Sequence, residues 1–295
     1  MLARAGLMPL DPEIAAYLEA QKHLPPRAAL DIAATRERLR QAAALAGPPP
    51  ALARVENLVL AGYLRARQYW PASDAALPLV VYFHGGRFIS GDLDSHDPVC
   101  RTLALAANCR VLAVDYRLAT EHRFPAAAED AALAVEWALG QSTPVAVAGD
   151  SAGANLAAGA ALTPGGRTLR CQLLIYPMID ATCSMPSYTA FAVGYGPGAA
   201  DMQRGWREYL PEGADLRDPL ASPLFATDLD GGPPAMVVTA EYDTLRDEGE
   251  AYARKLGVAA RRYRGTIHGF FTMLGTLQVA RDAMHDAAEF LKRHW

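Results

Sequence analysis

The chain has 295 residues, 51% of them apolar, with a formal net charge of −4 and a sequence pI near 6.0. That length suits one large α/β domain with insertions, and the charge gives no global electrostatic case for binding nucleic acid or an anionic membrane. No apolar run reaches the ~18 residues a membrane-spanning helix needs, so no membrane span is expected.

The first fifty residues are Ala-rich with a helical pattern. Asp11-Pro12-Glu13 combines a capping residue, a first-turn proline and an acidic neighbour, which predicts a helix start. Leu24-Pro25-Pro26 ends that helix, and a second is predicted from Asp31 to Ala46, stopped by Gly47 and the prolines that follow. This helical pair reads either as a cap over a site formed elsewhere or as a plain packing arm. The stretch Met1–Pro9 lacks a signal peptide's apolar core and soon meets Asp11 and Glu13, so a cytoplasmic protein is the working expectation. Cys100, Cys109, Cys171 and Cys183 have no C-x-x-C spacing, and free buried thiols are expected.

Residues 54–69 predict a hairpin or a pair of edge strands. From there the chain alternates. Apolar strands are predicted at Leu77–Phe83, Arg110–Tyr116, Pro144–Ala148, Cys171–Tyr176 and Ala235–Ala240, with a short last strand at Ala259–Tyr263. Helices are predicted at Ser95–Ala107, Pro125–Leu139, Ala154–Leu162, Arg246–Leu256 and Thr276–Lys292. Near-continuous apolar strands alternating with helices predict a mostly parallel sheet covered on both faces. In the last helix, Leu277, Ala280, Met284, Ala287, Ala288 and Leu291 fall at helical spacing and should pack on that sheet. Residues 181–232 break the rhythm. They are rich in Gly, Pro and aromatics, show only short helical pieces, and read as a lid or binding loop.

Gly149-Asp150-Ser151-Ala152-Gly153 joins a predicted strand to a predicted helix, the context in which G-x-S-x-G exposes a nucleophilic serine on a sharp turn. A serine hydroxyl needs a base, and the base needs an orienting acid. With the order nucleophile, acid, base, only His268, His285 and His294 can follow Ser151. His285 lies inside the last helix and His294 at the chain end, whereas His268 sits in a turn after a strand. Asp243, just past the Ala235–Ala240 strand, is the acid this reading selects. Asp247 reads as a helix start, Glu241 as a strand-end side chain aimed elsewhere, and Asp180 as the outside candidate. Ala152 offers a backbone N–H for a developing oxyanion, and the His84-Gly85-Gly86-Arg87 loop after the 77–83 strand is placed to offer others. His84 reads as a residue bracing that loop.

Together, His84-Gly85-Gly86, the Asp115–Ala127 segment, Gly149–Gly153, Asp243–Gly249 and Ile267-His268-Gly269-Phe270 resemble the bacterial hormone-sensitive lipase family (family IV) of α/β-hydrolases, from about residue 10 to the C-terminus. The resemblance implies an α/β-hydrolase fold with a helical cap built from residues 1–50 and 181–232. The core would then comprise residues 51–180 and 233–295, one catalytic domain overall. It implies a serine carboxylesterase for short- to medium-chain acyl esters, with a Ser151–Asp243–His268 triad and an acyl-enzyme. It also implies an oxyanion hole from Gly85, Gly86, Arg87 and Ala152, with Arg87 and Phe88 on the substrate-binding surface. No metal and no cofactor is implied; the partner is a small-molecule ester, and a homodimer fits the family. An acyltransferase using the same triad, a long-chain lipase and a non-catalytic small-molecule receptor are the alternatives. The chain departs from the family pattern at Arg87, which replaces the usual third glycine. Its guanidinium either points away beneath the cap or meets a polar or anionic substrate group. Thr120 and Thr244 stand where proline is usual, Ala154 where glycine is usual, and the Asp243–His268 stretch is a few residues shorter.

Overall fold

In the computed structural model, which describes residues 6–72 and 76–295, eight strands form one sheet. Met1–Ala5, part of the N-terminal stretch weighed above as a leader, and residues 73–75 lie outside the described residues. The strands are β1 (Arg54–Leu60), β2 (Leu64–Trp70), β3 (Leu79–Phe83), β4 (Arg110–Val114), β5 (Val145–Asp150), β6 (Gln172–Ile175), β7 (Ala235–Tyr242) and β8 (Arg261–Ile267). Their spatial order is β1-β2-β4-β3-β5-β6-β7-β8. β1 and β2 form an antiparallel hairpin, β2 runs antiparallel to β4, and all other pairings are parallel.

Nine α-helices are described: α1 (Pro12–Gln21), α2 (Ile32–Ala42), α3 (Asp97–Ala107), α4 (Ala126–Leu139), α5 (Ala152–Ala161), α6 (Ser187–Ala190), α7 (Ala199–Tyr209), α8 (Arg246–Lys255) and α9 (Gln278–Lys292). Asp11 caps α1 by accepting from the Glu13 N–H at 2.8 Å, and Asp31 caps α2 through the Ala34 N–H at 2.7 Å. Every residue of β3, β4, β5 and β6 is buried. Their side chains alternate between two apolar layers, as the two-residue strand period requires. Leu79, Val81 and Phe83 join the layer with α4, α5 and α8, while Val80 and Tyr82 join the layer with α3 and α9. The α9 residues picked out by spacing, from Leu277 to Leu291, are all buried in that second layer. All four cysteines carry free thiols, and Cys183 is the one not fully buried.

Two elements differ from the sequence expectation. β8 starts later and runs on to Ile267, past Gly265, where the sequence suggests a turn. Gly265 has φ +69° and sits at an irregularity in the β7–β8 pairing, so the strand bends there without ending. Residues 181–232 contain a three-turn helix, α7, and not only short pieces. Gly205 disguises it in sequence. A Cβ at Gly205 would lie 2.7 Å from the Arg87 Cβ, so the glycine lets α7 sit directly on the loop after β3.

Candidate active site

Strand β5 delivers Ser151 at its carboxyl end, and α5 begins at the next residue. Ser151 has φ +56° and ψ −119°, a region that costs a non-glycine residue about 1–3 kcal/mol. Surrounding bonds hold it there: its N–H donates to the Ile175 carbonyl at 2.8 Å, and its carbonyl accepts from the Met178 N–H at 3.1 Å. The flanking glycines are required by space. A Cβ on Gly149 would lie 2.4 Å from the Gly153 backbone, and one on Gly153 would lie 1.9 Å from the Phe83 carbonyl oxygen. The turn therefore wedges α5 against β3.

His268 follows β8 and Asp243 follows β7, so parallel neighbours bring both to the same edge of the sheet as Ser151. The His268 Nδ1–H donates to Asp243 Oδ2 at 2.8 Å, and Nε2 lies 3.0 Å from Ser151 Oγ. An ionised carboxylate only accepts, which places the imidazole proton on Nδ1 and leaves Nε2 to accept from the serine hydroxyl. Asp243 is buried, and its Oδ1 accepts from the Leu245 N–H at 2.9 Å. The shortened Asp243–His268 connection still lets the two side chains meet. The other acids are engaged elsewhere. Glu241 Oε2 accepts from the Gly265 N–H at 2.7 Å, Asp247 Oδ2 from the Ser187 N–H at 2.9 Å, and Asp180 Oδ1 from the Thr182 N–H at 2.9 Å. His285 is exposed on α9, and the His294 Nδ1–H donates to the Phe290 carbonyl at 2.7 Å. Thr244, where the family has proline, donates its hydroxyl to the Phe191 carbonyl at 3.1 Å and ties residues 181–232 to the loop that carries Asp243.

The loop after β3 faces the serine turn. Gly86, Arg87 and Phe88 all have positive φ, at +133°, +58° and +63°. The N–H groups of Gly86, Arg87 and Ala152 find no acceptor among the described residues, which leaves them free for a ligand. Gly85 is a correction. Its N–H donates to Asp150 Oδ1 at 3.0 Å, so it braces the loop and cannot serve an oxyanion. Phe88 is a second correction. Its ring is fully buried, stacked 3.8 Å from Tyr209 and 5.3 Å from Trp206, and does not line the cavity. The Arg87 guanidinium turns to α7, with NH1 3.3 Å from Asp201 Oδ1.

Beneath the loop lies a polar network that sequence reading misses. Asp150 accepts from the Tyr82 hydroxyl at 2.9 Å and the Gly85 N–H at 3.0 Å, and its Oδ1 lies 3.3 Å from His96 Nε2. Burial pushes the Asp150 carboxyl up, but His96 and the Tyr82 bond outweigh it, and the net shift is downward. His84 donates from Nδ1 to the Gly85 carbonyl at 2.9 Å and stacks on Tyr116 at 4.3 Å. Burial, followed by the neighbouring His96, pushes its pKa down to about 4, so it stays neutral at ordinary pH. The one sequence signal for this network is the position of Asp150, immediately before Ser151.

Ser151 and His268 open into a cavity of about 120 Å³. Gly86, Arg87 and Tyr176 line it from the sheet side, and Tyr176 lies with its ring 4.6 Å from His268. Tyr17 and Leu39 line it from α1 and α2, and Pro197 and Met202 from the 181–232 segment. Among the described residues, no group of three or more His, Cys, Asp or Glu side chains is placed to hold a metal ion, and no helix is long and apolar enough to cross a membrane.

A family model described as an alpha/beta hydrolase fold matches residues 80–272. The carboxylic ester hydrolase LipN of Mycobacterium tuberculosis is 39% identical over 267 residues, covering 82% of this chain and 71% of that protein. The ethyl acetate hydrolase of Pseudomonas putida is 35% identical, covering 97% of this chain and all of that one. Among solved structures, a hyperthermophilic esterase from the archaeon Pyrobaculum calidifontis superposes with a TM-score of 0.89 at 39% identity, covering 97% of this chain and 99% of that one. The chain belongs to the α/β-hydrolase fold family, in its bacterial hormone-sensitive lipase branch.

Proposed function

We propose that the protein is a serine carboxylesterase that hydrolyses short- to medium-chain acyl esters through Ser151, His268 and Asp243. The observation that carries this reading is the unbroken line of hydrogen bonds from Ser151 Oγ through His268 to Asp243, 3.0 and 2.8 Å long, at a strained strand–helix turn. Relatives named as ester hydrolases over most of their length support the activity class. His268 Nε2 takes the Ser151 proton as Oγ attacks the ester carbonyl, and Asp243 holds the imidazole and stabilises its charged form. The oxyanion is received by the N–H groups of Gly86, Arg87 and Ala152. His268 then protonates the leaving alcohol. A water repeats the sequence on the acyl-enzyme, releases the acid and restores Ser151.

The segments before β1 and between β6 and β7 act as a cap. They close the cavity to about 120 Å³, well under the ~300 Å³ at which pockets for drug-sized ligands begin, and this favours small acyl groups. The test is hydrolysis of p-nitrophenyl acetate, butyrate and palmitate by wild type and Ser151→Ala. Wild type should turn over the two short esters faster than palmitate, and Ser151→Ala should lose about 10⁴-fold or more in kcat with its fold intact. Equal rates for the two proteins would end the esterase reading.

A further inference from the structure

Beside the cavity, where the loop after β3 meets α7 and residues 12–46, there is more positive charge than the described carboxylates neutralise. Arg27, Arg38 and Arg204 gather around Arg87, each of the three bearing on its charge. Asp201 on α7 is the one carboxylate that pairs with any of the four among the described residues. Two of the arginines have structural work. Arg204 donates to the carbonyls of Leu30 at 2.5 Å and Ala28 at 3.3 Å, and Arg38 donates to the Pro25 carbonyl at 2.9 Å and Gln21 Oε1 at 3.1 Å. Arg87 holds Asp201. Arg27 is left over: among the described residues its guanidinium makes one hydrogen bond, a long 3.4 Å contact to the Tyr17 hydroxyl. Arg27 and Arg87 both line the cavity that holds Ser151.

Among the described residues, Asp150 is the only acid lining that cavity, and it is taken by Tyr82, Gly85 and His96. Arg87 is only 8% exposed. Burial, with Asp201 acting against it and the other three arginines adding to it, pushes the Arg87 pKa down to about 10. Buried guanidinium charge in excess of its counter-charge favours an incoming anion, and the planar fork of guanidinium donors matches a carboxylate in two-bond geometry.

We propose that the ester cleaved at Ser151 carries a carboxylate, which seats against Arg27 and Arg87. This rests on the esterase reading and names its substrate class. A tenfold gain in kcat/KM corresponds to about 1.4 kcal/mol, within the reach of one charge-assisted pair in a partly dry site.

The experiment compares two pairs of esters by pH-stat. On the acyl side, monoethyl glutarate is set against ethyl valerate. On the alcohol side, 4-acetoxybutanoate is set against pentyl acetate. The expected result is a preference of about tenfold or more in kcat/KM for the anionic member of at least one pair, expressed mainly in KM and shrinking as salt is raised. In Arg27→Gln the anionic-to-neutral ratio should fall toward one. Should Arg27→Gln not fold, the salt dependence of the wild-type ratio decides the matter. Ratios near or below one in both pairs for wild type overturn the proposal. So does a high ratio that Arg27→Gln leaves unchanged, or, without that variant, one that salt leaves unchanged. Failure of the esterase reading looks different: none of the four esters is hydrolysed faster by wild type than by Ser151→Ala.

Discussion

The two sides of the catalytic cavity are held in place by different means. On the sheet side, the Ser151 turn and the loop after β3 are fixed chiefly by backbone: parallel strand ends, carbonyl–amide bonds at 2.8–3.2 Å, and glycines whose missing Cβ atoms would strike neighbouring atoms, with the buried Asp150 side chain bracing Gly85. On the far side, long cationic side chains bridge the segments. Arg204 joins α7 to residues 28–30, and Arg36 grips Glu121 with two bonds. Backbone geometry tolerates almost no substitution. Side-chain bridges can be rebuilt with other residues, because long side chains have many rotamers and exposed ion pairs are worth only about 0–1 kcal/mol. The first arrangement suits atoms whose positions set a reaction; the second suits a surface that selects among substrates.

The largest effect that would sharpen this contrast is expected at Gly153→Ala. The new methyl would sit 1.9 Å from the Phe83 carbonyl oxygen and 2.5 Å from its carbon, so α5 must move off β3. A loss of about 3 kcal/mol or more is expected from overpacking against backbone, read as a lower urea midpoint, with esterase activity lost alongside. An unchanged midpoint would mean that the turn is not backbone-locked.

A smaller effect, with a definite sign, comes from the buried carboxyl that supports the sheet side. Glu248 on α8 is fully buried and accepts from the Ile179 N–H at 2.7 Å, holding the 178–180 turn whose Met178 carbonyl also accepts from Asn155. Burial pushes the Glu248 pKa well above its ordinary 4.5, with only partial relief from the Ile179 N–H. The folded state therefore keeps a proton that the unfolded chain releases above about pH 4.5. The stabilisation is complete below that pH and declines as pH rises toward the raised folded value, by at most about 1.4 kcal/mol per pH unit. Glu248→Gln keeps the acceptor and removes the titration. Relative to wild type it should gain stability as pH rises from 5 in urea melts. Parallel pH profiles for the two proteins would show that Glu248 does not hold that proton.

The same contrast explains what could be read from sequence. β3, β5 and α9 are legible because burial on a sheet imposes strong apolar patterns. Ser151, Asp243 and His268 are legible because chain order and strand ends leave few candidates. Gly265 looks like a turn because pattern reading cannot distinguish a bulge inside a strand from the end of one. α7 is hidden because Gly205, its apparent breaker, answers to Arg87, far away in sequence. Gly85 and Phe88 sit in the right loop, yet their assignments depend on which way an N–H and a ring face, and neighbours such as Asp150 and Tyr209 decide that. Arg27 carries no motif at all; its place beside Arg87 on the cavity wall exists only once residues 12–46 fold over the loop after β3.

Arg87 belongs to both sides of the cavity, and the smallest effect is expected there. Its backbone is part of the tight loop, at φ +58°, while its side chain bridges to α7. Arg87→Gly removes a left-handed strain of about 1 kcal/mol. It also deletes the 3.3 Å bond to Asp201, but that carboxylate keeps the Gly198 N–H at 2.9 Å and remains near Arg38. A buried pair normally costs about 3–5 kcal/mol to break because one charge is stranded; here the stranded charge has other cations beside it. The two changes should nearly cancel, leaving stability within about 1 kcal/mol of wild type in urea melts. The acyl-chain-length profile should broaden, because the space against Gly205 opens. A drop in midpoint as deep as that of Gly153→Ala would place the Arg87–Asp201 bridge with the backbone-locked core, and the division between the two sides would fail at the residue where they meet.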